Sequence, residues 1–317
     1  MKIDKTFLRS KVGRRIFLLF ISCALIPITI LALLSFRHVT SQLNKQSQER
    51  LQQAAKAMSM HLFERLLFLE AGMEMVAANL ESVDFSNLRA AAVEISDRLK
   101  EGFGALALVM DGGEAIPLID FVPEPPPTVT EEETDHLRQG RTLINAEIRS
   151  NRPGVVFMRR LVDQANPSKG LLVGQVNNYY LWRRGEENPL PPMTELMVLD
   201  HNGEVLFSSL SGPRAVPQGE LSNMTGTHSG QFEWRHDDRE YVGRYLSMYM
   251  EKEFHIPKWL VVLCESKAHV LAPMARFKHI FPLVVLLALW VVLLLSVNQI
   301  RRNLVPLERL QEGTKRI

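Results

Sequence analysis

The sequence predicts an α+β protein with a long N-terminal helix and two antiparallel-sheet modules, flanked by two transmembrane helices. Three observations support this fold class. Charge-free apolar runs lie near both ends, and an uninterrupted helical pattern follows the first of them. Between them, short apolar runs are divided by Asp-Gly and Asn-Gly turns, a pattern typical of antiparallel hairpins.

Composition sets the broad class of the protein. Its 317 residues suffice for one large or two small domains beside membrane segments. The net charge of +2 gives no argument for nucleic-acid binding. Cys23 lies in an apolar run and Cys264 in a strand-like run, so we expect neither a disulfide nor a cysteine-based metal site.

The first apolar run, residues 16–36, follows a basic tail at residues 1–15. A signal peptide also starts with basic residues, but its apolar core is only about 7–15 residues and ends at a small-residue cleavage site. This run is longer, and the SFRHVT that ends it does not resemble such a site. We therefore expect an uncleaved transmembrane helix, kinked at Pro27.

A second span is predicted at residues 279–298, where the stretch from Ile280 to Val297 is charge-free. Basic residues follow it in residues 299–317, as they precede the first span. The positive-inside rule then places both termini in the cytoplasm and residues 37–279 in the periplasm of a bacterium. Two buried core helices are the alternative, which the basic flanks disfavour.

Residues 37–100 are predicted to form a helical stalk. From Val39 to Val83 apolar residues recur at steps of three and four, and a shorter helix is expected from Asn87 to Lys100. The apolar positions are Leu51, Ala54, Met58, Leu62, Leu66, Leu69, Met73, Val76 and Leu80. A helix of about 65 Å needs a partner along its length, which is a globular domain, its copy in a dimer, or both.

The two sheet modules show a weak internal repeat. DGGEAIPLI aligns with HNGEVLFSS, and LLVGQVNNYYL aligns with WLVVLCESKAHVL. In the first module Thr130 and Glu133 have the spacing of a capping box. The proline-rich stretch 121–129 is interpreted as a stiff surface loop, with a recognition motif as the alternative.

This order of elements resembles a double Cache sensor domain of bacterial transmembrane receptors over residues 37–278. The resemblance is clearest in MVLDHNGEVLFSS and IPKWLVVLCESKAHVLAPM. It implies two PAS-like modules. The membrane-distal module, at 101–187, is the one that usually holds the ligand in that family, and the membrane-proximal module lies at 193–270.

The closing sequence IRRNLVPLERLQEGTKRI resembles the start of a HAMP linker. In this resemblance Pro306 lies near the start of the first amphipathic helix, and Leu307, Leu310 and Ile317 share one face. The resemblance implies a homodimer and a cytoplasmic output domain, either a cyclic-di-GMP enzyme or a histidine kinase. No such output domain is present within the 317 residues.

No catalytic motif is found, so the sequence leaves open whether the whole protein is an enzyme. It contains no G-x-S-x-G, H-E-x-x-H, Walker or C-x-x-C pattern. The spacing of His201, His228, His236, Asp237 and Asp238 fits no known metal site. We therefore predict no metal and no cofactor.

The candidate ligand-binding residues lie in the first module: Arg141, Arg159, Arg160, Asp163, Tyr179 and Tyr180. Arg159 and Arg160 are adjacent on a predicted strand, so they face opposite sides of the sheet. Either one of them points into a pocket and binds a carboxylate, or both lie in solvent at the strand end. The Arg followed by Trp-Tyr of the amino-acid-sensing subgroup is absent, so the ligand is unknown.

Two functions remain open. In the first, a small ligand shifts the first module, and the shift travels through Trp259, Asn298, Pro306, Leu307 and Leu310 to the cytoplasm. In the second, the external part binds a periplasmic partner protein and has no small-molecule pocket. Its surface would then include loop 121–129 and the aromatic hairpin around Trp234, although aromatics at alternating strand positions are more often core. An external enzyme is a distant third.

Overall fold

The computed structural model describes residues 11–82, 99–110, 113–120, 128–149, 152–182, 190–210, 218–236, 238–274, 280–292 and 294–295. The first part contains α1 (Lys11–Ser82), β1 (Phe103–Val109), β2 (Ala115–Ile119), α2 (Glu131–Arg138), β3 (Leu143–Arg149), β4 (Arg152–Leu161), β5 (Leu171–Val176) and α3 (Asn178–Trp182). The second contains β6 (Thr194–Leu199), β7 (Val205–Ser208), α4 (Gln218–Gly226), β8 (Ser229–His236), β9 (Arg239–Met250), α5 (Glu251–Phe254), β10 (Ile256–Ser266) and α6 (Lys267–Val270). An apolar helix, α7 (Ile280–Val292), follows.

The chain divides into two compact units. One comprises Ser47–His269 and holds both sheets, and the other comprises Met1–Gln46 with Val270–Ile317.

The predicted long helix is confirmed. It begins before the predicted stalk, and α1 runs without interruption from Lys11 to Ser82. Its apolar residues are buried in the predicted three- and four-residue rhythm, with the exception that Ala55 rather than Ala54 is the buried alanine. The buried positions are Leu51, Ala55, Met58, Leu62, Leu66, Leu69, Met73, Val76, Ala77 and Leu80. One face of the helix therefore belongs to the core of the larger unit.

Two five-stranded antiparallel sheets have the same topology. Sheet 1 has the order β2-β1-β5-β4-β3, and sheet 2 has the order β7-β6-β10-β9-β8. Each strand of sheet 1 thus has its counterpart five strands later in the chain. This equivalence supports the internal repeat read from the sequence, including the alignment of β5 with β10.

The hairpin turns repeat in detail as well. The backbone N–H of Met110 donates to the Glu114 carbonyl at 2.9 Å, and that of Asp200 donates to the Glu204 carbonyl at 2.9 Å. The glycines at the same place in each turn, Gly113 and Gly203, have φ values of 79° and 85°. A β-branched or bulky side chain would be strained there, so glycine fixes both turns.

A single apolar cluster joins α1 to one face of each sheet. It contains Leu66 of α1, Met158 of β4 and Val261 of β10, among others. We call the sheet faces that belong to this cluster the inner faces. The opposite, outer faces carry two separate clusters, one around Phe157 of sheet 1 and one around Trp234 of sheet 2.

One of the two predicted membrane spans has a candidate among the described residues. The segment Ile26–Glu81 is long and apolar enough to cross a membrane by length and composition, and none of its most apolar window is buried. A signal sequence near an N-terminus meets the same test. The described helix at the second predicted span, α7, is apolar but shorter.

Several predicted features fall outside the described residues. They are most of the helix expected from Asn87 to Lys100, most of the proline-rich loop 121–129, and the relay residues Asn298, Pro306, Leu307 and Leu310.

An aromatic junction connects the two modules. Trp182, the last residue of α3, is buried and stacks on Phe207 of β7 with ring centroids 5.4 Å apart. Its ring also lies 5.8 Å from that of Trp259 on β10. Arg65 of α1 donates to the Leu181 carbonyl at 2.8 Å and so holds the same short helix. Together these contacts fix the end of the first module against the strands of the second.

Replacing Trp182 by alanine should lower the free energy of unfolding by about 3–5 kcal/mol, because it removes a buried aromatic ring shared by two modules. Chemical denaturation of the full chain in detergent measures the change. Tyr179→Ala, on the same helix but 71% exposed, is the matched control and should stay within about 0.5 kcal/mol of wild type. Equal losses in the two variants would contradict the role of the junction.

Candidate functional site

Adjacent arginines on β4 lie on opposite faces of sheet 1, as the strand period requires. Arg159 is 1% exposed and Arg160 is 8% exposed, so neither lies in solvent at the strand end. Arg159 lies on the outer face, beside Leu143 of β3 and Val173 of β5. Arg160 lies on the inner face, where it reaches α1.

Arg160 has a structural role. Its guanidinium contacts Glu74 at 3.0 Å and Glu70 at 4.0 Å, both on α1, and donates to the Thr142 hydroxyl at 3.2 Å. Burial raises the pKa of Glu70, and the Thr142 hydrogen bond and the charge of Arg160 only partly offset that rise. Arg160 therefore ties sheet 1 to α1 and neutralises a half-buried carboxylate.

Arg159 lies among apolar side chains on the outer face. Val155, Phe157 and Val173 form its buried cluster, with Val109 and Leu171 packed against them. Burial lowers the pKa of the Arg159 guanidinium, and the nearby carboxylate of Glu133 opposes that shift. A planar cation on an apolar surface is suited to a carboxylate attached to an apolar body.

Glu133 of α2 supplies the negative charge that faces Arg159. Its Oε2 accepts from the Thr130 backbone N–H and its Oε1 accepts from Asn145 Nδ2, each at 2.7 Å. Burial works to raise the pKa of Glu133, but these hydrogen bonds and the charge of Arg159 hold it below its usual value. The predicted capping box is confirmed. Its glutamate also places a carboxylate near Arg159 on the outer face.

Asn145 adds an unused acceptor. Its Oδ1 is buried and has no hydrogen-bond partner among the described residues, while its Nδ2 is committed to Glu133. In the strand register Asn145 lies opposite Phe157, on the same face as Arg159. The outer face thus combines a buried cation, a carboxylate and an amide oxygen over an apolar floor.

The other candidate residues lie apart from Arg159. Arg141 is exposed and donates to the Lys252 carbonyl at 3.0 Å. Asp163 accepts from the backbone of Ala165 at 2.8 Å and pairs with Lys169 at 2.9 Å, which stabilises a turn. Tyr179 is exposed, and Tyr180 packs partly buried against the main core. Among the described residues, no group of three or more His, Cys, Asp or Glu side chains could hold a metal ion.

The corresponding face of sheet 2 is filled by aromatic rings. Phe232 and Trp234 stack with centroids 4.9 Å apart, and Trp234 stacks on Tyr241 at 5.3 Å. These rings belong to one buried cluster with Leu260, Val262 and Cys264 of β10. The two repeats therefore use the same face differently, one for polar groups and one for aromatic packing.

The end of β10 holds a buried carboxylate that the sequence analysis missed. Glu265 is fully buried and accepts from Ser47 Oγ at 3.0 Å and from Arg50 Nη2 at 2.7 Å, both on α1. His269 Nδ1 lies 2.7 Å from its other oxygen. A lone acid in an apolar strand was the available signal, because such a residue is rarely buried without partners.

Comparison with known proteins identifies the fold. The ligand-binding domain of the Campylobacter jejuni chemoreceptor Tlp3, in complex with 4-methylisoleucine, matches 72% of this chain and 94% of its own, with a TM-score of 0.51 and 10% identity. The sensory domain of the same receptor matches 74% and 98%, again with a TM-score of 0.51 and 10% identity. The extracellular domain of a protein assigned as a histidine kinase, rpHK1S-Z16, matches 72% and 97%, with a TM-score of 0.50 and 15% identity.

No protein-family model matches the sequence, and no curated protein matches it. At these identities the structural likeness establishes a shared fold. The larger unit has the fold of the external sensor domains of bacterial receptors.

Replacing Arg160 by methionine should lower the free energy of unfolding by about 2–4 kcal/mol, because Glu70 is left half-buried without its cation. The deficit should shrink as the pH falls through the raised pKa of Glu70, since the protonated acid no longer needs the cation. Denaturation of the full chain at neutral and acid pH measures both effects. Arg138→Met, in an exposed pair with Asp135, is the control and should change stability by about 0.5 kcal/mol or less. A deficit that is independent of pH would contradict the role of Glu70.

Proposed function

We propose that this chain is the sensor portion of a bacterial inner-membrane receptor, binding a small carboxylate-bearing ligand on the outer face of sheet 1. The observation that carries the proposal is Arg159, a cation 1% exposed on an apolar face with Glu133 as its facing charge. A fold shared with chemoreceptor sensor domains supports the sensor role. In this proposal the larger unit is a double Cache domain, with residues 101–187 distal to the membrane and 193–270 proximal.

The membrane topology of the proposal rests on the apolar helices and their flanks. Leu31, Leu34 and Ile30 of α1 are exposed, as are Leu283, Leu287 and Trp290 of α7. Helices that expose large apolar side chains in this way are suited to lipid. With the basic residues at both ends, we propose spans at 16–36 and 279–298 and a periplasmic location for residues 37–279.

The ligand class follows from the chemistry of the outer face. Tlp3 binds 4-methylisoleucine, which joins a carboxylate and an amino group to an apolar body. Here Arg159 is suited to a carboxylate, the cluster around Phe157 is suited to an apolar body, and Asn145 Oδ1 is suited to a donor. The aromatic filling of sheet 2 favours the first module as the binding module.

A continuous path leads from this face toward the cytoplasm. β5 continues into α3, whose Trp182 packs on Trp259 of β10. β10 ends at Ser266, directly after the buried Glu265, and the chain continues through α6 to the second proposed span. We propose that a HAMP linker at 299–317 carries the change to a cyclic-di-GMP enzyme or a histidine kinase. Two packings that differ by a few kcal/mol suffice for such a switch.

The receptor is proposed to be a homodimer that pairs along α1. Met60, Leu67 and Phe68 are exposed on that helix, at 57%, 38% and 62%. Leu67 and Phe68 lie about two helical turns after Met60, which is the spacing of residues in a helix–helix seam.

Carboxylates should stabilise the full chain in a thermal-shift screen, and their amide analogues should not. The set comprises amino acids with apolar side chains, the matching monocarboxylates without an amino group, and the corresponding amides. A ligand at about 100 times its dissociation constant adds about 2.7 kcal/mol of stability. Arg159→Lys keeps the charge but loses the planar fork, so affinity should fall about tenfold or more. Arg235→Lys, an exposed arginine of the second module, should bind as wild type does.

The proposal fails if no member of the set stabilises the chain, or if Arg159→Lys binds with unchanged affinity. If no ligand in the screen stabilises the chain and crosslinking recovers a periplasmic protein, the results favour the alternative, an external domain that binds a partner protein.

A further inference from the structure

Besides the Trp182 junction, the two modules meet where the turn after α2 contacts the turn before β10. The ring of His136 on α2 lies 5.2 Å from the ring of His255, with the ring planes at 46°. Next to this pair, Arg141 Nη1 donates to the Lys252 carbonyl at 3.0 Å. Two titratable rings and a permanent cation therefore form a contact between the modules.

His136 is buried at 6% exposure, and its Nε2 lies 3.2 Å from the Thr142 carbonyl. Burial lowers the pKa of His136, and the charges of His255 and Arg141 lower it further. Hydrogen bonds to the backbone of Thr142 and Glu253 oppose the shift without cancelling it. When the two turns are in contact, which we call the closed state, the surroundings of His136 therefore favour its neutral ring.

The charged groups around the contact come from four elements and from the residues that follow two of them. Lys252 and Glu253 lie on α5 with His255 directly after it, Asp135 and Arg138 lie on α2 with Arg141 in the turn after it, Arg160 lies on β4, and Glu70 and Glu74 lie on α1. Asp135 and Arg138 pair with each other on the surface, and Glu74 pairs with Arg160. The two neighbours whose electrostatic effect lowers the pKa of His136 are His255 and Arg141.

We propose that the His136–His255 contact is a proton-binding site that gives the receptor a second input, the acidity outside the membrane. Protonating the buried His136 ring places a positive charge next to Arg141 and the His255 ring, and drives the turn after α2 away from the turn before β10. This input acts at a different place from a ligand on the outer face, so its test does not depend on that ligand site.

The direction in which pH changes the stability of the closed state follows from linkage. His136 has a lower pKa in the closed state than its ordinary value of 6.5. The closed state is therefore fully stabilised above about pH 6.5, and that stability is lost as the pH falls through the lowered pKa. Each unit of depression makes the opening equilibrium about tenfold more favourable in acid.

The place of His255 connects the contact to signalling. This residue ends α5 with φ 57° and is followed directly by β10. β10 carries Trp259 and, one residue before its end, the buried Glu265. Opening at His255 therefore acts on the strand that leads toward the second proposed span.

Hydrogen–deuterium exchange of the full chain in nanodiscs, between about pH 7.5 and about pH 5.0, tests the proposal. Exchange is corrected for its intrinsic pH dependence with an unstructured peptide. Peptides covering 131–142 and 251–260 should lose about tenfold protection or more in acid. A peptide covering β6 and β7 is the internal reference and should not change.

Two variants test the two rings of the contact. His136→Gln keeps a donor for the Thr142 carbonyl but takes no proton, and His255→Asn accepts the positive φ and removes the ring that faces His136. Either variant should abolish the acid-dependent loss, whereas His228→Gln, which removes an exposed ring stacked on Tyr249, should retain it. The proposal is overturned if wild type loses no protection from exchange in acid, or if the His136 and His255 variants both lose as much protection as wild type. If His136→Gln does not fold, His255→Asn decides alone.

Discussion

The architecture depends on one buried stripe of α1 that two sheets share. Leu51, Leu62, Leu66 and Met73 have no exposed surface, and they belong to one apolar cluster with the inner faces of both sheets. Fully burying side chains of this kind contributes about 1.5–3 kcal/mol each. Because both modules depend on the same helix, a displacement of either sheet changes the packing of a surface that the other sheet also uses.

The strand period then places the two adjacent arginines of β4 on opposite faces of sheet 1. Arg160 faces α1 and joins the modules' common helix through Glu70 and Glu74, while Arg159 faces away from it beside Glu133. A buried charge is costly unless it is paired, so each arginine needs a carboxylate on its own side. Two adjacent residues of one type thereby acquire different surroundings, and only their alternation along the strand distinguishes them.

Patterns local in the chain predicted most of the fold. Helical periodicity located the buried stripe of α1, and the glycine turns located the hairpins and the repeat. The site was less predictable because its members converge through strand register. Asn145 and Arg159 are brought to one face by the β3–β4 pairing, and Glu133, read from sequence as a cap, arrives there on α2. The pairing of Glu265 with Arg50 spans 215 positions, which no local pattern reveals.

The two sheets share one topology, but their outer faces carry different side chains. Both have the same strand order, so any position in one has a counterpart in the other. On the outer face of sheet 2, stacked aromatic rings fill the space, from Phe232 through Trp234 to Tyr241. On the outer face of sheet 1, Arg159 lies near the carboxylate of Glu133, and the buried Oδ1 of Asn145 has no hydrogen-bond partner among the described residues. Trp182 of the first module packs on Phe207 and lies beside Trp259 of the second, so a change in the packing of one module reaches the other through a buried aromatic contact.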